Sequence, residues 1–175
     1  SGYTDAADLA ALIRRLEVGS VHLVGTSAGA LTALLLALEH PRMVRSLVLA
    51  EPPVHRWARD HPDGAPLYEQ FMSVIWRPAG GAFRAGDEQG AMRILVDGFG
   101  GAGRFDALRP QARTVALQNS RFFRAATASD DPFPEVSKDA VRRLSMPVLI
   151  ITGENTISIH RFVNDELARL LPHTA

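Results

Sequence analysis

At 175 residues, with 46% hydrophobic and 22% charged side chains, the chain has the size and composition of a folded domain rather than a disordered or fibrous segment. Nineteen basic residues balance 19 acidic ones and are scattered, a single lysine (Lys138) among arginines, so neither nucleic acid nor an anionic membrane is an expected partner. The absence of cysteine excludes disulfides, thiol catalysis and cysteine-zinc sites, the apolar stretch from Ala28 to Leu38 is too short to span a bilayer, and nothing from Ser1 onward reads as a signal peptide, so a cytoplasmic location is expected.

Thr4 and Asp5, both cap formers, precede Leu9, Leu12, Ile13 and Leu16, an i, i+3, i+4, i+7 stripe that ends at Gly19 and predicts an amphipathic helix. Val21-His22-Leu23-Val24, bounded by Gly19-Ser20 and Gly25, reads as a buried strand. Helical spacing returns from Ala28 through Leu31, Leu34, Leu35 and Leu38 until Pro41. Val44 to Ala50 is a second strand, ended by Glu51-Pro52-Pro53, and the strand-helix-strand order implies a parallel pair. A third strand, Pro147 to Thr152, follows much later and leads into a helical pattern through Phe162, Val163, Leu167, Leu170 and Leu171. Between them glycines and prolines punctuate segments of helical spacing: Leu67-Phe71-Val74-Ile75, Met92-Leu95-Val96-Phe99 and Val115-Leu117-Phe122. The expected class is therefore α/β, a parallel sheet with flanking helices, divided into a core over residues 1–53, an inserted all-helical segment over 54–145, and further core over 146–175.

Gly25-Thr26-Ser27-Ala28-Gly29 matches G-x-S-x-G between a hydrophobic strand and an apolar helix, the placement that a nucleophile elbow demands. The glycines and the small Thr26 and Ala28 allow a tight turn that pushes the Ser27 hydroxyl out of the sheet, and the Ala28 amide lies where an oxyanion forms during acyl transfer. The competing reading is a turn in which Ser27 merely caps the following helix.

With those motifs in place, the chain resembles the α/β-hydrolase fold, and within it the lid-bearing esterases, lactonases, haloalkane dehalogenases and epoxide hydrolases. The resemblance rests on Val21 to Gly29 as elbow strand and elbow, His40-Pro41 with Val44 to Leu49 as the next strand, Met146 to Glu154 as a later strand, and Glu166 to Pro172 as the helix after it. Residues 54–145 fall where that family carries a helical lid, and the roughly four strands that precede the elbow in the family have no counterpart here. A serine rather than an aspartate at the elbow implies hydrolysis of an ester, lactone, thioester or carbon-carbon bond with no cofactor, and the aromatics of residues 54–145, among them Trp57, Phe71, Trp76 and Phe83, suggest a small, apolar substrate. Two other family chemistries stay open: a non-catalytic ligand-binding protein, and a cofactor-free haloperoxidase or dioxygenase.

The family's acid commonly follows the later strand in a Gly-Glu-Asn-Asp-like turn; here that turn is Gly153-Glu154-Asn155-Thr156, and threonine cannot serve. Some relatives place the acid after the preceding strand, where Glu51 stands, so Glu51 is the candidate acid and Glu154 its rival. None of His22, His40, His55, His61, His160 and His173 has the setting of the family's catalytic histidine, so each reads as an exposed or capping residue and the base is not found in the chain. No H-x-x-x-H pair suggests a metal, and the elbow lacks G-x-G-x-x-G. The expected picture is the middle of a longer protein, inactive alone, whose free sheet edges pair with missing parts of the fold or another chain.

Overall fold

The computed structural model describes residues 2–171. Helix α1 (Gly2–Leu16) is followed by strand β1 (Val21–Thr26), helix α2 (Ala28–Glu39), a 3-10 turn (Pro41–Met43) and strand β2 (Val44–Ala50). After the short helix α3 (Arg56–Arg59) come α4 (Ala65–Phe71), a π-helical turn (Met72–Trp76), α5 (Arg77–Arg84), α6 (Glu88–Gly100), α7 (Arg104–Ala107), α8 (Pro110–Gln118) and α9 (Ser120–Ala128). Helix α10 (Lys138–Arg142), strand β3 (Val148–Ile151) and helix α11 (Ser158–Leu170) complete the described chain.

The three strands form one parallel sheet in the order β1-β2-β3. Its register has a direct consequence for the site. Thr26 pairs with Ala50 and Ala50 with Ile151, so the strands end level and Ser27, Glu51 and Thr152 leave the sheet along one rim. That carboxyl rim is where open α/β sheets collect their functional groups.

Helix α2 is apolar around its circumference because it is covered on two sides, by α1 and by the sheet, and seven of its residues from Ala30 to Ala37 are buried. Helix α1 departs from the expectation. It starts at Gly2, so Thr4 and Asp5 lie inside its first turn rather than capping it. Its buried residues are Ala6, Ala10 and Ile13, whereas Leu12 and Leu16 are exposed. Small alanines let two helix backbones approach closely, and this decides which face turns inward. The other face of the sheet is open: Val24, Leu149 and Ile151 present apolar side chains to solvent there.

The chain forms two compact units, residues 1–64 with 133–175, and residues 65–132. The helical unit is thus shorter than the 54–145 segment expected from glycine and proline punctuation. Val54, Trp57 and Ala58 on one side of it, and Phe133, Val136, Val141 and Leu144 on the other, are buried in the sheet unit, and the Trp57 indole N–H donates to the Val136 carbonyl at 2.7 Å. Large apolar side chains close to a strand join its core regardless of the turns that surround them.

Within the helical unit, Phe105 is fully buried beneath the guanidinium groups of Arg93 and Arg113, 4.8 and 5.3 Å from its ring centre, and its N–H donates to the Asp97 carboxylate at 2.7 Å. Several glycines read as breaks are interior to helices. Gly98 lies in α6 because a Cβ there would come within 2.7 Å of the Ile75 side chain. The run Gly98 to Gly103 spells G-x-G-x-x-G, but it closes a helix instead of following a strand and so lacks the geometry of a dinucleotide turn.

Candidate functional site

Ser27 follows β1 with φ 50° and ψ −123°, a conformation that costs a side-chain-bearing residue about 1–3 kcal/mol. The turn is tied down around it. The Ser27 N–H donates to the Ala50 carbonyl at 2.8 Å, and the Ser27 carbonyl accepts from the amides of Ala30 and Leu31. The side chain is exposed, and among the described residues it makes no hydrogen bond, including the helix-capping bond of the competing reading. Ala28 opens α2, so its N–H belongs to the first-turn amides that have no intrahelical acceptor.

Only one glycine of the Gly25–Gly29 turn is sterically required. A Cβ at Gly25 would lie 2.5 Å from the Gly29 carbonyl oxygen and 2.6 Å from the Ala30 nitrogen, whereas a Cβ at Gly29 would meet nothing within 4 Å. Gly25→Ala is accordingly expected to destabilise the fold by about 3 kcal/mol or more, and Gly29→Ala to be neutral or slightly stabilising; urea denaturation midpoints check both.

Glu51 repeats the Ser27 pattern one strand over, leaving β2 with φ 52°. Its Oε1 accepts the Gly153 N–H at 2.8 Å, its Oε2 is 3.4 Å from Nδ1 of His160, and the Thr156 side chain also hydrogen-bonds the carboxylate. A Cβ at Gly153 would stand 3.2 Å from Oε1, so glycine keeps that amide open to the carboxylate. Burial by itself would raise the Glu51 carboxyl, but the Gly153 amide, Thr156 and His160 outweigh it and hold the group below the usual carboxylate range. Glu154 is exposed; its carbonyl accepts from Arg161 at 2.8 Å, but among the described residues its carboxylate has no partner. Thr156, which stands where the resemblance would place an aspartate, hydrogen-bonds Glu51 instead.

The histidines divide differently from the expectation. His22 is exposed with Nδ1 2.6 Å from the Ser46 hydroxyl, His40 caps α2, and His61 is near Asp63 at the surface. His173 lies outside the described residues. His160 and His55, the latter at the N-cap of α3 without a side-chain capping bond, are however buried: His160 is 8% exposed and His55 only 1%. Their rings stack with centroids 5.2 Å apart, and Phe133 closes on His55 at 4.5 Å. Asn164, buried one turn further along α11, donates to the Thr152 hydroxyl at 2.8 Å and fixes the helix against the end of β3. No sequence signal announces the His160 contact, which joins residues far apart in the chain. Among the described residues no group of three histidine, aspartate or glutamate side chains is placed to hold a metal ion.

Burial pushes His55 well below the usual imidazole value, with His160 adding to the effect, and burial also lowers His160 although Glu51 opposes the shift. The unfolded chain therefore takes up protons near pH 6.5 that the folded protein resists, and stability falls as pH drops below that point. Glu51 acts in the same direction at lower pH, its contribution being lost as pH falls through its depressed folded value. Urea unfolding between pH 5 and 7.5 is expected to show stability rising with pH, by up to about 1.4 kcal/mol per unit for each titrating proton, with a shallower slope in His55→Leu.

A sharp strand-to-helix turn carrying an exposed serine, with a fixed carboxylate at the adjacent strand end, is the geometry of the α/β hydrolases. A family model described as alpha/beta hydrolase fold matches residues 1–175, and the chain belongs to that family. It is 31% identical over 182 residues to the 2-(acetamidomethylene)succinate hydrolase of Mesorhizobium japonicum, covering 95% of this chain and 58% of that protein. Among solved structures, an N-acyl homoserine lactone degrading enzyme is similar with a TM-score of 0.70 at 26% identity, over 99% of this chain and 64% of the other. An esterase from Thermogutta terrifontis gives a TM-score of 0.72 over 100% of this chain and 62% of its own, at 20% identity, a likeness of fold. The chain thus spans about three fifths of the length of these relatives. No helix among the described residues is long and apolar enough to cross a membrane.

Proposed function

We propose that the intact protein is a serine hydrolase that cleaves an acyl bond of a small molecule through a Ser27 acyl-enzyme. One observation carries the reading: Ser27 and Glu51, the two residues assigned chemistry, both hold a positive φ at the level ends of adjacent strands. Backbone strain at side-chain-bearing residues clusters at functional sites, because packing elsewhere must impose it.

In this reading a histidine outside residues 2–171 removes the Ser27 proton as Oγ attacks the substrate carbonyl carbon. Glu51 accepts that histidine's other N–H and fixes its tautomer. The tetrahedral oxyanion forms against the Ala28 amide. Collapse breaks the bond to the leaving group, which receives the proton, and water then attacks the acyl-enzyme by the same route to release the acid and restore Ser27. The names of the relatives, one a succinate-derivative hydrolase and one a lactone-degrading enzyme, support acyl chemistry on small molecules. The apolar sheet face at Val24, Leu149 and Ile151, with the free edges of β1 and β3, is where the rest of a longer chain or a partner chain would pack.

A fluorophosphonate probe applied to the intact protein tests the reading. We expect covalent labelling of the peptide that contains Ser27, lost in Ser27→Ala. Absence of labelling, or labelling that survives the substitution, would sink it.

A further inference from the structure

We infer that His160 is a positioning residue for the Glu51 carboxylate, its imidazole holding Oε2 while the loop after β3 holds Oε1. The inference rests on Glu51 being the acid of the proposed triad, and it adds a residue that the reaction itself does not need to touch.

Glutamate has one more rotatable bond than aspartate, so a carboxylate that must meet a histidine in a single orientation needs more restraint at this position. The fold applies that restraint from three sides. The strained backbone at φ 52° sets the direction in which the side chain leaves β2. The Gly153 amide and Thr156 take the carboxylate from the loop after β3, and that loop is itself held by Arg161, whose guanidinium donates to the Gly153 and Glu154 carbonyls. From α11, His160 closes the third side with Nδ1 3.4 Å from Oε2. The ring of His55 stacks on the imidazole and is itself in contact with Phe133, which restricts the movement of the His160 ring.

The charge state agrees with this role. Burial disfavours protonation of both imidazoles, and Nδ1 is the His160 nitrogen that faces Oε2, so the positioning role requires the neutral ring to carry its proton there. One N–H on Oε2 leaves further lone-pair sites on the carboxylate, so the acid keeps capacity for the catalytic histidine. A neutral donor also orients Glu51 without cancelling its negative charge, which must stabilise the imidazolium formed during acylation.

The test measures the rate of fluorophosphonate acylation of the intact protein from pH 5 to 9 for wild type, Glu51→Gln, His160→Leu and His160→Asn. Leucine fills the space without a donor; asparagine places an amide N–H near the Nδ1 position. We expect His160→Leu to slow acylation about ten- to hundredfold and to shift the midpoint of the pH profile downward, with His160→Asn restoring both to within about threefold. Unchanged acylation in His160→Leu, with Glu51→Gln strongly impaired, would overturn the inference and leave the triad standing. Unchanged acylation in Glu51→Gln would instead overturn the triad reading. An Asn variant as inactive as Ser27→Ala would make His160 the base rather than a positioning residue, which also overturns the inference. Should His160→Leu fail to fold, nitrogen chemical shifts of the wild-type imidazoles at pH 7.5 decide: a proton on Nδ1 of His160 supports the role and a proton on Nε2 rejects it.

Discussion

Replacing Ser27 by alanine is expected to lower ester turnover by the intact protein on the order of 10^4-fold or more, with little change in melting temperature. The loss follows from the proposed mechanism, in which without Oγ there is no acyl-enzyme and the oxyanion amide with substrate binding alone supplies only the residual rate. Stability barely moves because the hydroxyl makes no hydrogen bond among the described residues, so none is lost. Glycine at the same position separates function from folding more sharply. At φ 50° a residue without Cβ relieves the strain, so Ser27→Gly is expected to be equally inactive and about 1 kcal/mol more stable than wild type. Kinetics with a p-nitrophenyl ester alongside thermal unfolding would check the pair, and appreciable turnover in either variant would remove Ser27 from the mechanism.

The second large effect is expected at Glu51. Glutamine keeps an oxygen for the Gly153 amide, so the fold survives, but it removes the charge that stabilises the imidazolium, and kcat is expected to fall about 10^3- to 10^4-fold. Glu154→Gln should leave kcat within about twofold, since that carboxylate is exposed and unpartnered among the described residues. The opposite ranking would transfer the acid to Glu154 and leave the strained, hydrogen-bonded Glu51 a structural tie between β2 and the loop after β3.

Much of the fold was legible because its signals are local. A short β-branched run between glycines reads as a strand, leucines at helical spacing read as a helix, and G-x-S-x-G between the two specifies a turn that few other arrangements allow. The parallel sheet and the place of Ser27 follow from those signals alone. Where the reading missed, the deciding contact lay elsewhere in the chain. The buried face of α1, which packs on α2, carries Ala6, Ala10 and Ile13, not Leu12 and Leu16. Residues 54–64 and 133–145 belong with the sheet unit because Trp57, Phe133 and Val136 are buried there. Gly98 is a point of close approach to Ile75, which no helix-breaking rule anticipates.

The site shows the same division. By itself the sequence determined the class of fold and marked the candidate site residues, a serine in the strand-to-helix turn, the amide beside it and two carboxylates, because each depends on neighbours within a few residues. Only the tertiary structure distinguished the surroundings of the two carboxylates, by bringing Gly153, Thr156 and His160 onto Glu51 and leaving Glu154 in solvent. It also turned His160 and His55 from unremarkable histidines into a buried pair behind that carboxylate. The physical reason is that strand register and helix packing, which join positions about a hundred residues apart, leave no periodicity or spacing in the chain to be read.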